Sequence, residues 1–310
     1  MKELMFINPI FKEMIWGGNK LKKYFNYEIP SDKTGECWAI SAHTNGDCTV
    51  SSKSFNGMKL SELWENHKEL FGAKGGDKFP LLIKIIDAKE DLSIQVHPDD
   101  EYARVNENGA FGKTECWYIL ECDENATIVI GHNAKDKEEL KEMIHDNKWN
   151  ELIRNIPIKK GDFFQIDPGT VHAIKGGTVI LETQQNSDIT YRLYDYDRMS
   201  NGTLRELHID KSIDVITCPY IEKKVESKII NLTHGTIEEL ITCEYYTVKK
   251  LTLNGSQIIE QKEDFTLISV LEGRGMIDNI DIKKGDHFIL PNGYGDYELE
   301  GQLELSISYC

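Results

Sequence analysis

Ile158-Lys159-Lys160-Gly161-Asp162-Phe163-Phe164-Gln165-Ile166 returns later in the chain as Ile282-Lys283-Lys284-Gly285-Asp286-His287-Phe288-Ile289-Leu290, each copy followed closely by proline and glycine. A Lys-Gly-Asp turn that feeds an apolar strand, written twice at this length, reads as duplication of a β-sandwich unit. Short β-branched runs surround both copies: Cys37 to Ser41, Cys48 to Ser52, Leu81 to Asp87, Ala126 to Gly131, Thr178 to Glu182, Tyr246 to Leu253, Phe265 to Glu272 and Leu303 to Tyr309. Gly, Asn and Asp punctuate them, which points to a sandwich or barrel and away from a βαβ fold. Two segments break the pattern. Leu60, Leu63, Trp64, His67, Leu70 and Phe71 fall at helical spacing before Gly72, and Asp136 with Glu139 forms a capping-box signature ahead of Leu140, Met143 and Ile144. The expected architecture is mainly β: two β-sandwich domains with a few inserted helices, at about 55–75 and 136–155. The boundary falls near Pro219 to Ser227, giving domains 1–223 and 224–310.

A chain of 310 residues can bury one or two cores, and its formal charge of −16 repels nucleic acid and anionic membrane surfaces. An anionic small molecule stays admissible, because a few buried cations set the potential of a pocket more than distant carboxylates do. The 7 cysteines form no CxxC pair and have no regular spacing, the pattern of reduced thiols. No stretch is long and apolar enough to span a bilayer and no leader pattern follows Met1, so a soluble, cytoplasmic protein is expected.

The chemistry concentrates in Gln95-Val96-His97-Pro98, Lys113-Thr114-Glu115 and Pro168-Gly169-Thr170-Val171-His172. Alternate residues of a strand share a face, so Gln95 and His97 project together, while Glu115 opens a second extended run and His172 follows a Pro-Gly turn after a third. Neutral imidazoles, a carboxylate and an amide oxygen from neighbouring strands suit a borderline cation such as zinc, with positions left open for substrate. In the second copy Pro291-Asn292-Gly293-Tyr294-Gly295 stands where the first has Pro168 to His172, and His287 sits on the strand instead. That copy is expected to be metal-free. Lys84 lies inside the apolar run Leu81 to Ile86, where an unpaired ammonium is costly; it pairs with an acidic neighbour or serves a pocket.

These residues, with Trp16-Gly17-Gly18, Gly35-Glu36-Cys37-Trp38, Phe79-Pro80-Leu81-Leu82-Ile83-Lys84, Ala173, Glu182 and Ser187-Asp188-Ile189-Thr190-Tyr191-Arg192, follow an order that resembles the type I mannose-6-phosphate isomerases in their short bacterial form, built from cupin jelly rolls. The resemblance implies one zinc per chain held by Gln95, His97, Glu115 and His172. It implies an aldose-ketose isomerase that interconverts mannose 6-phosphate and fructose 6-phosphate through an enediol or enediolate. Lys113, Glu182 and Arg192 match the family's active-site lysine, acidic residue and arginine, and Trp16 and Lys84 are assigned to substrate contact. Thr183-Gln184-Gln185-Asn186 departs from the longer members, so surroundings of the arginine do not transfer.

The proton-transfer group is Glu182 or Lys113; the sequence does not choose. Arg192 either binds phosphate or stabilises developing charge, and the second role is favoured. Without the resemblance it would be read as an ion-pair partner of Asp188 or Asp195. Two other functions share the fold: an iron or manganese cupin acting on another substrate, against which Gln95 argues, and a sugar-binding cupin without catalysis. The expected partner is a small sugar phosphate, and the expected assembly a monomer or weak homo-oligomer.

Overall fold

The computed structural model describes residues 2–72, 76–200 and 202–310. The last few positions of the inserted helical segment, 73–75, lie outside the described residues. The architecture is mainly β. A six-stranded sheet runs in the order Phe163–Ile166, Glu115–Cys122, Thr178–Gln185, Leu81–Ala88, Ile10–Gly18, Thr34–Ile40. Facing it is a five-stranded sheet, Ile153–Pro157, Thr127–His132, His172–Ile174, Ile94–Val96, Tyr191–Tyr194.

The six-stranded sheet is covered on both faces, which explains why Leu81–Ala88 and Thr178–Gln185 are buried along their whole length. Trp16, Ile86, Trp117, Ile119 and Ile180 pack toward the five-stranded sheet with Ile128, Ile130 and Ile174. The alternate residues Ile83, Ile85, Cys116, Tyr118, Val179 and Leu181 pack the other way, against Val248, Phe265, Leu267 and Ile289 of the C-terminal sheet. Period-two alternation therefore serves two cores, one of which faces the candidate site.

The repeated motif folds into the same turn twice. Gly161 and Gly285 take φ of 90° and 91°, a left-handed conformation that glycine adopts without strain. In each copy the aspartate carboxylate accepts the amide of the lysine three residues earlier, Lys159 to Asp162 at 2.9 Å and Lys283 to Asp286 at 2.8 Å. Phe163–Ile166 then pairs with Glu115–Tyr118, and His287–Leu290 pairs with Thr266–Ser269.

The C-terminal strands join a nine-stranded sheet whose longest members, Thr247–Ile259 and Tyr297–Tyr309, pair along 13 residues. Gly255 pairs with Gly301, and Gly301 with Gly275 of Thr266–Ile277, so three glycines align across three strands. Gly255 and Gly301 have φ of 134° and 125°. A Cβ on Gly301 would stand 2.6 Å from the Arg274 carbonyl oxygen, and one on Gly275 would stand 2.0 Å from that of Glu300. Apolar residues on either side of this line, Leu251 with Ile259 and Leu299 with Leu305, collect in one core, so the sheet creases there and folds over that core.

The segment Ile221 to Ser227 carries no regular structure, but the sheet does not stop at the boundary expected there. Met5–Asn8 pairs with His287–Leu290, and Thr49–Ser51 pairs in turn with Met5–Asn8. Two N-terminal strands thus complete the C-terminal sheet.

Of the helices, Leu60–Asn66 buries Leu60, Leu63 and Trp64, and the chain turns through Lys68–Leu70 before Gly72. Trp64 meets Phe79 and Phe71 meets Phe265 edge-on, which makes both aromatic side chains core. Lys137–His145 is capped by Asp136, which accepts the Glu139 amide at 2.8 Å, while the Glu139 carboxylate reaches past the cap to the Lys135 amide at 2.7 Å.

Candidate metal centre

Ile94–Val96 is a central strand of the five-stranded sheet, and its register sets Gln95 opposite both His172 and Arg192. His97 follows one residue beyond the strand. Glu115 begins its own strand in the facing sheet, and His172 begins the next strand of the first. Both sheets thus deliver polar side chains into one interior, where His97 is 1% exposed and Glu115 and His172 are 0% exposed.

One ligand atom from each of these three residues lies within 4.8 Å of the others. His172 Nε2 is 3.1 Å from His97 Nε2, 3.4 Å from Glu115 Oε1 and 3.3 Å from the Gln95 amide nitrogen; His97 Nε2 is 3.5 Å from Glu115 Oε2. His172 Nδ1 donates to the Thr170 carbonyl at 2.8 Å, which fixes the proton there and leaves Nε2 as the lone-pair nitrogen. Burial pushes the His97 imidazole down to about 3 and lowers that of His172. Both rings are neutral, as metal ligands must be. Burial alone would raise the Glu115 carboxyl, but Lys113, His97 and His172 hold it well below the usual carboxylate range. The Lys113 ammonium is 2.9 Å from Glu115 Oε2, yet neither carboxylate oxygen receives a well-angled hydrogen bond. Inward-facing lone pairs on nitrogen and oxygen, an ionised carboxylate and an amide that presents oxygen after a half-turn of its terminal torsion fit a borderline divalent cation.

Above this cluster a cavity of about 290 Å³ is walled by Trp16, Lys84, Gln95, Lys113, Glu182 and Arg192. Sequence reading picked out all six. Trp16 packs its ring against Gly35, where a Cβ would come within 2.6 Å of the indole. Lys84 and Glu182 pair across adjacent strands with Nζ 3.2 Å from Oε1, and the Trp117 indole donates to Glu182 Oε2 at 3.1 Å. Lys84 therefore both pairs with a carboxylate and faces the pocket. Burial opposes its charge, but Glu182, Glu36 and Glu115 hold its ammonium above the ordinary range. Burial and the negative charge of Glu115 raise the Glu182 carboxyl, against the pull of Lys84 and Lys113. Glu182 is buried in mid-strand, not solvent-facing at a strand end.

Arg192 pairs with neither aspartate that its sequence neighbourhood offers. Asp195 is bound to Arg198 and Arg205, and Asp188 to His43 and Asn45. The Arg192 guanidinium donates one bond, Nη1 to the Glu206 carbonyl at 2.8 Å, and its buried Nε has no partner. Glu36, Ser93, Thr190 and Arg205 also line the cavity. Glu36 stood inside a quoted motif without a role. Arg205 gave no signal, because it follows the two-stranded hairpin Met199–Ser200 and Thr203–Leu204 and belongs to no periodic run.

In the C-terminal sheet the position paired with the end of the repeated strand, held by Glu115 in the first copy, is Thr266. His287 there is enclosed: the Tyr27 hydroxyl donates to the Gly285 carbonyl at 2.9 Å and accepts from His287 Nε2 at 2.8 Å, and the Ser269 hydroxyl donates to Nδ1 at 2.8 Å. Among the described residues, His97, Glu115 and His172 are the one group of three with metal-ligating geometry.

Residues 4–118 match the family described as phosphomannose isomerase type I, catalytic domain, and residues 236–310 match the mannose-6-phosphate isomerase cupin domain. The chain is 52% identical over 317 residues to mannose-6-phosphate isomerase ManA of Bacillus subtilis (strain 168), covering 99% of each. It is 46% identical to the mannose-6-phosphate isomerase of Streptococcus mutans, covering 100% of this chain and 99% of that one. The crystal structure of a Bacillus subtilis mannose 6-phosphate isomerase matches with a TM-score of 0.98 at 48% identity, covering 99% of this chain and 100% of that one. A variant of the phosphomannose isomerase from Salmonella typhimurium, at 14% identity and a TM-score of 0.81 with 99% of each chain covered, shares the fold.

Proposed function

The chain belongs to the type I phosphomannose isomerase family, and from that premise we propose that it interconverts mannose 6-phosphate and fructose 6-phosphate through an enediolate, with one zinc ion per chain held by Gln95, His97, Glu115 and His172. The observation that carries the reading is the buried His97, Glu115 and His172 cluster beneath a cavity that presents Lys84, Lys113 and Glu182. Bound there, zinc would act as a Lewis acid on the substrate oxygens and ease the charge that appears as a proton leaves carbon.

The residues of the chain do the rest. Aldose-ketose exchange moves a proton between adjacent carbons, and the group that carries it works best with a pKa brought toward neutrality. Glu182 is such a group: burial and Glu115 raise its carboxyl, and Trp117 and Lys84 fix its orientation. Lys84 keeps its proton among three carboxylates, and the Lys113 ammonium is engaged by Glu115. Glu182 is therefore our assignment for the proton shuttle, with Lys84 and Lys113 holding substrate oxygens and Trp16 forming an apolar wall beside the sugar. Arg192, one strand from Gln95 and with Nε unpartnered, is our assignment for stabilising the developing oxyanion. The C-terminal sheet, with Thr266 for the carboxylate and His287 enclosed, is taken to bind no metal. The free thiols of Cys37, Cys48, Cys116, Cys122, Cys218 and Cys243 agree with a reducing cytoplasm.

Metal analysis of the purified protein, paired with a coupled assay of mannose 6-phosphate conversion, tests this. One zinc per chain with turnover is expected. Sugar-phosphate binding without turnover by the zinc-loaded protein would overturn it in favour of a non-catalytic sugar-binding protein.

A further inference from the structure

Lys113 and Glu115 are presented by a stretch, 111–114, that carries no regular structure, yet the site needs both side chains in fixed places. Three successive amides of this stretch are each tied to a different residue. Gly112 donates to Asp100 Oδ1 at 2.7 Å, Lys113 to the Pro98 carbonyl at 3.0 Å and Thr114 to Gln185 Oε1 at 2.8 Å. The nitrogen of the same Gln185 amide donates to Asp100, 3.1 Å from Oδ1 and 3.3 Å from Oδ2. A ring closes from Gly112 through Asp100 and Gln185 to Thr114, and Lys113 spans it. With its oxygen and its nitrogen both engaged, the Gln185 amide fits only one way round. Gln185 is buried, and a Cβ on Gly112 would stand 2.4 Å from the carbonyl carbon of Asp99, so the stretch is pressed against the start of the helix Asp100–Asn106.

This ring joins the segments that carry the chemistry. His97 lies just ahead of Asp100, Glu115 directly follows Thr114, and Glu182 shares the strand Thr178–Gln185 with Gln185. Neither Asp100 nor Gln185 lines the cavity or belongs to the ligand cluster. Gln185 stands instead in Thr183-Gln184-Gln185-Asn186, the stretch where this chain departs from the longer family members. Hydrogen bonds behind a metal site orient its ligands, and their loss loosens metal binding and reactive geometry together. The C-terminal sheet also reaches the ring. Burial and the Asp100 carboxylate raise the Tyr245 phenol, whose hydroxyl comes from the turn between Gly235–Thr242 and Thr247–Ile259. We propose that Asp100 and Gln185 are positioning residues that set Lys113 and Glu115 for metal and substrate, and that Tyr245 makes this setting a task of the C-terminal sheet. This rests on the metal site of the isomerase reading.

The test exchanges the roles of the two side chains in the full-length protein. Gln185→Glu alone sets a carboxylate against Asp100, and Asp100→Asn alone sets one amide donor against another. In the double variant the carboxylate at position 185 accepts from Thr114 and from the amide at position 100, whose oxygen still receives Gly112. Every bond of the ring then returns at unchanged net charge. Zinc affinity, measured by competition with a chelator, should fall roughly 10- to 100-fold in each single variant, with kcat of the zinc-saturated protein at least about tenfold lower. The double variant should return to within about fivefold of the parent in both. A merely structural bond would lower the unfolding midpoint and leave the zinc affinity and kcat of folded molecules untouched. Single variants within about twofold of the parent in both quantities would therefore overturn the proposal. So would a double variant that sums the losses of the two singles. If the single variants do not fold, Tyr245→Phe, which removes one hydroxyl beside Asp100, decides: zinc affinity should weaken at least about threefold, and parental affinity overturns the proposal. A parent that binds zinc without turning over mannose 6-phosphate would sink the isomerase reading alone, and the zinc affinities of parent and variants would still decide the positioning role.

Discussion

Glu182 is a carboxyl group placed where its charge is contested: burial and Glu115 oppose ionisation, Lys84 favours it. Glu182→Gln keeps the shape and the Trp117 hydrogen bond but cannot carry a proton. Turnover should fall roughly 10²- to 10⁴-fold while zinc content holds, a combination that metal analysis beside steady-state kinetics will show. His172→Ala should lose zinc and activity together, because it removes the nitrogen that Thr170 orients; equal zinc retention in variant and parent would contradict the ligand assignment. Arg192→Ala should depress kcat with little change in KM or zinc, and a near-parental rate would remove Arg192 from the chemistry. Most of this site can be read in one dimension. Gln95 lies on a strand and His97 just past its end, two residues apart on one extended run, and Glu115 and His172 sit at turn-to-strand junctions that sequence marks with Pro, Gly and Thr. Arg205 and Glu36 escape such reading because a charged residue that owes its place to tertiary packing carries no period and no turn signal.

Strands and turns carry information of a different kind. The repeated Lys-Gly-Asp turn is legible because glycine and aspartate each perform a local task, left-handed backbone in one case and amide capture in the other. The crease at Gly255, Gly301 and Gly275 is not, since its glycines lie far apart in sequence and acquire meaning through register. Gly301→Ala would force an L side chain into φ 125° against the Arg274 carbonyl. We expect it to cost roughly 1–3 kcal/mol in denaturant unfolding, with no change in zinc content. The strand His287–Leu290 contributes a second testable property. Burial holds the His287 imidazole at about 3, against an ordinary value of 6.5. The unfolded chain thus binds a proton that the folded chain refuses between these two values. Stability contributed by this group is fully present above pH 6.5 and declines as the pH falls toward 3, by up to about 1.4 kcal/mol per pH unit. His287→Gln should flatten that part of the acid limb in a series of denaturant titrations. An unchanged slope would mean that the ring is not held neutral.

For the molecule as a whole, the informative fact is that one sheet serves both cores. The face of the six-stranded sheet turned from the site is closed by the C-terminal sheet, which itself needs Met5–Asn8 and Thr49–Ser51 to be complete. A domain boundary read from sequence cannot see hydrogen bonds between strands far apart in the chain, such as Met5–Asn8 with His287–Leu290. Segments 1–223 and 224–310, produced separately, should each expose a large apolar face and aggregate, whereas production in one cell should restore a soluble complex with zinc bound. Soluble, zinc-binding 1–223 alone would refute this dependence. The pairing of Met5–Asn8 with His287–Leu290 also has a consequence in time. During synthesis Met5–Asn8 can pair early with Thr49–Ser51 on one edge, but its other edge must wait until His287–Leu290 has left the ribosome. Closing so long a loop is slow compared with forming local hairpins, so the pairing of these two strands should come late in folding. Until then the metal-binding sandwich has its back uncovered, and a chain halted before His287 should depend on chaperones to stay soluble.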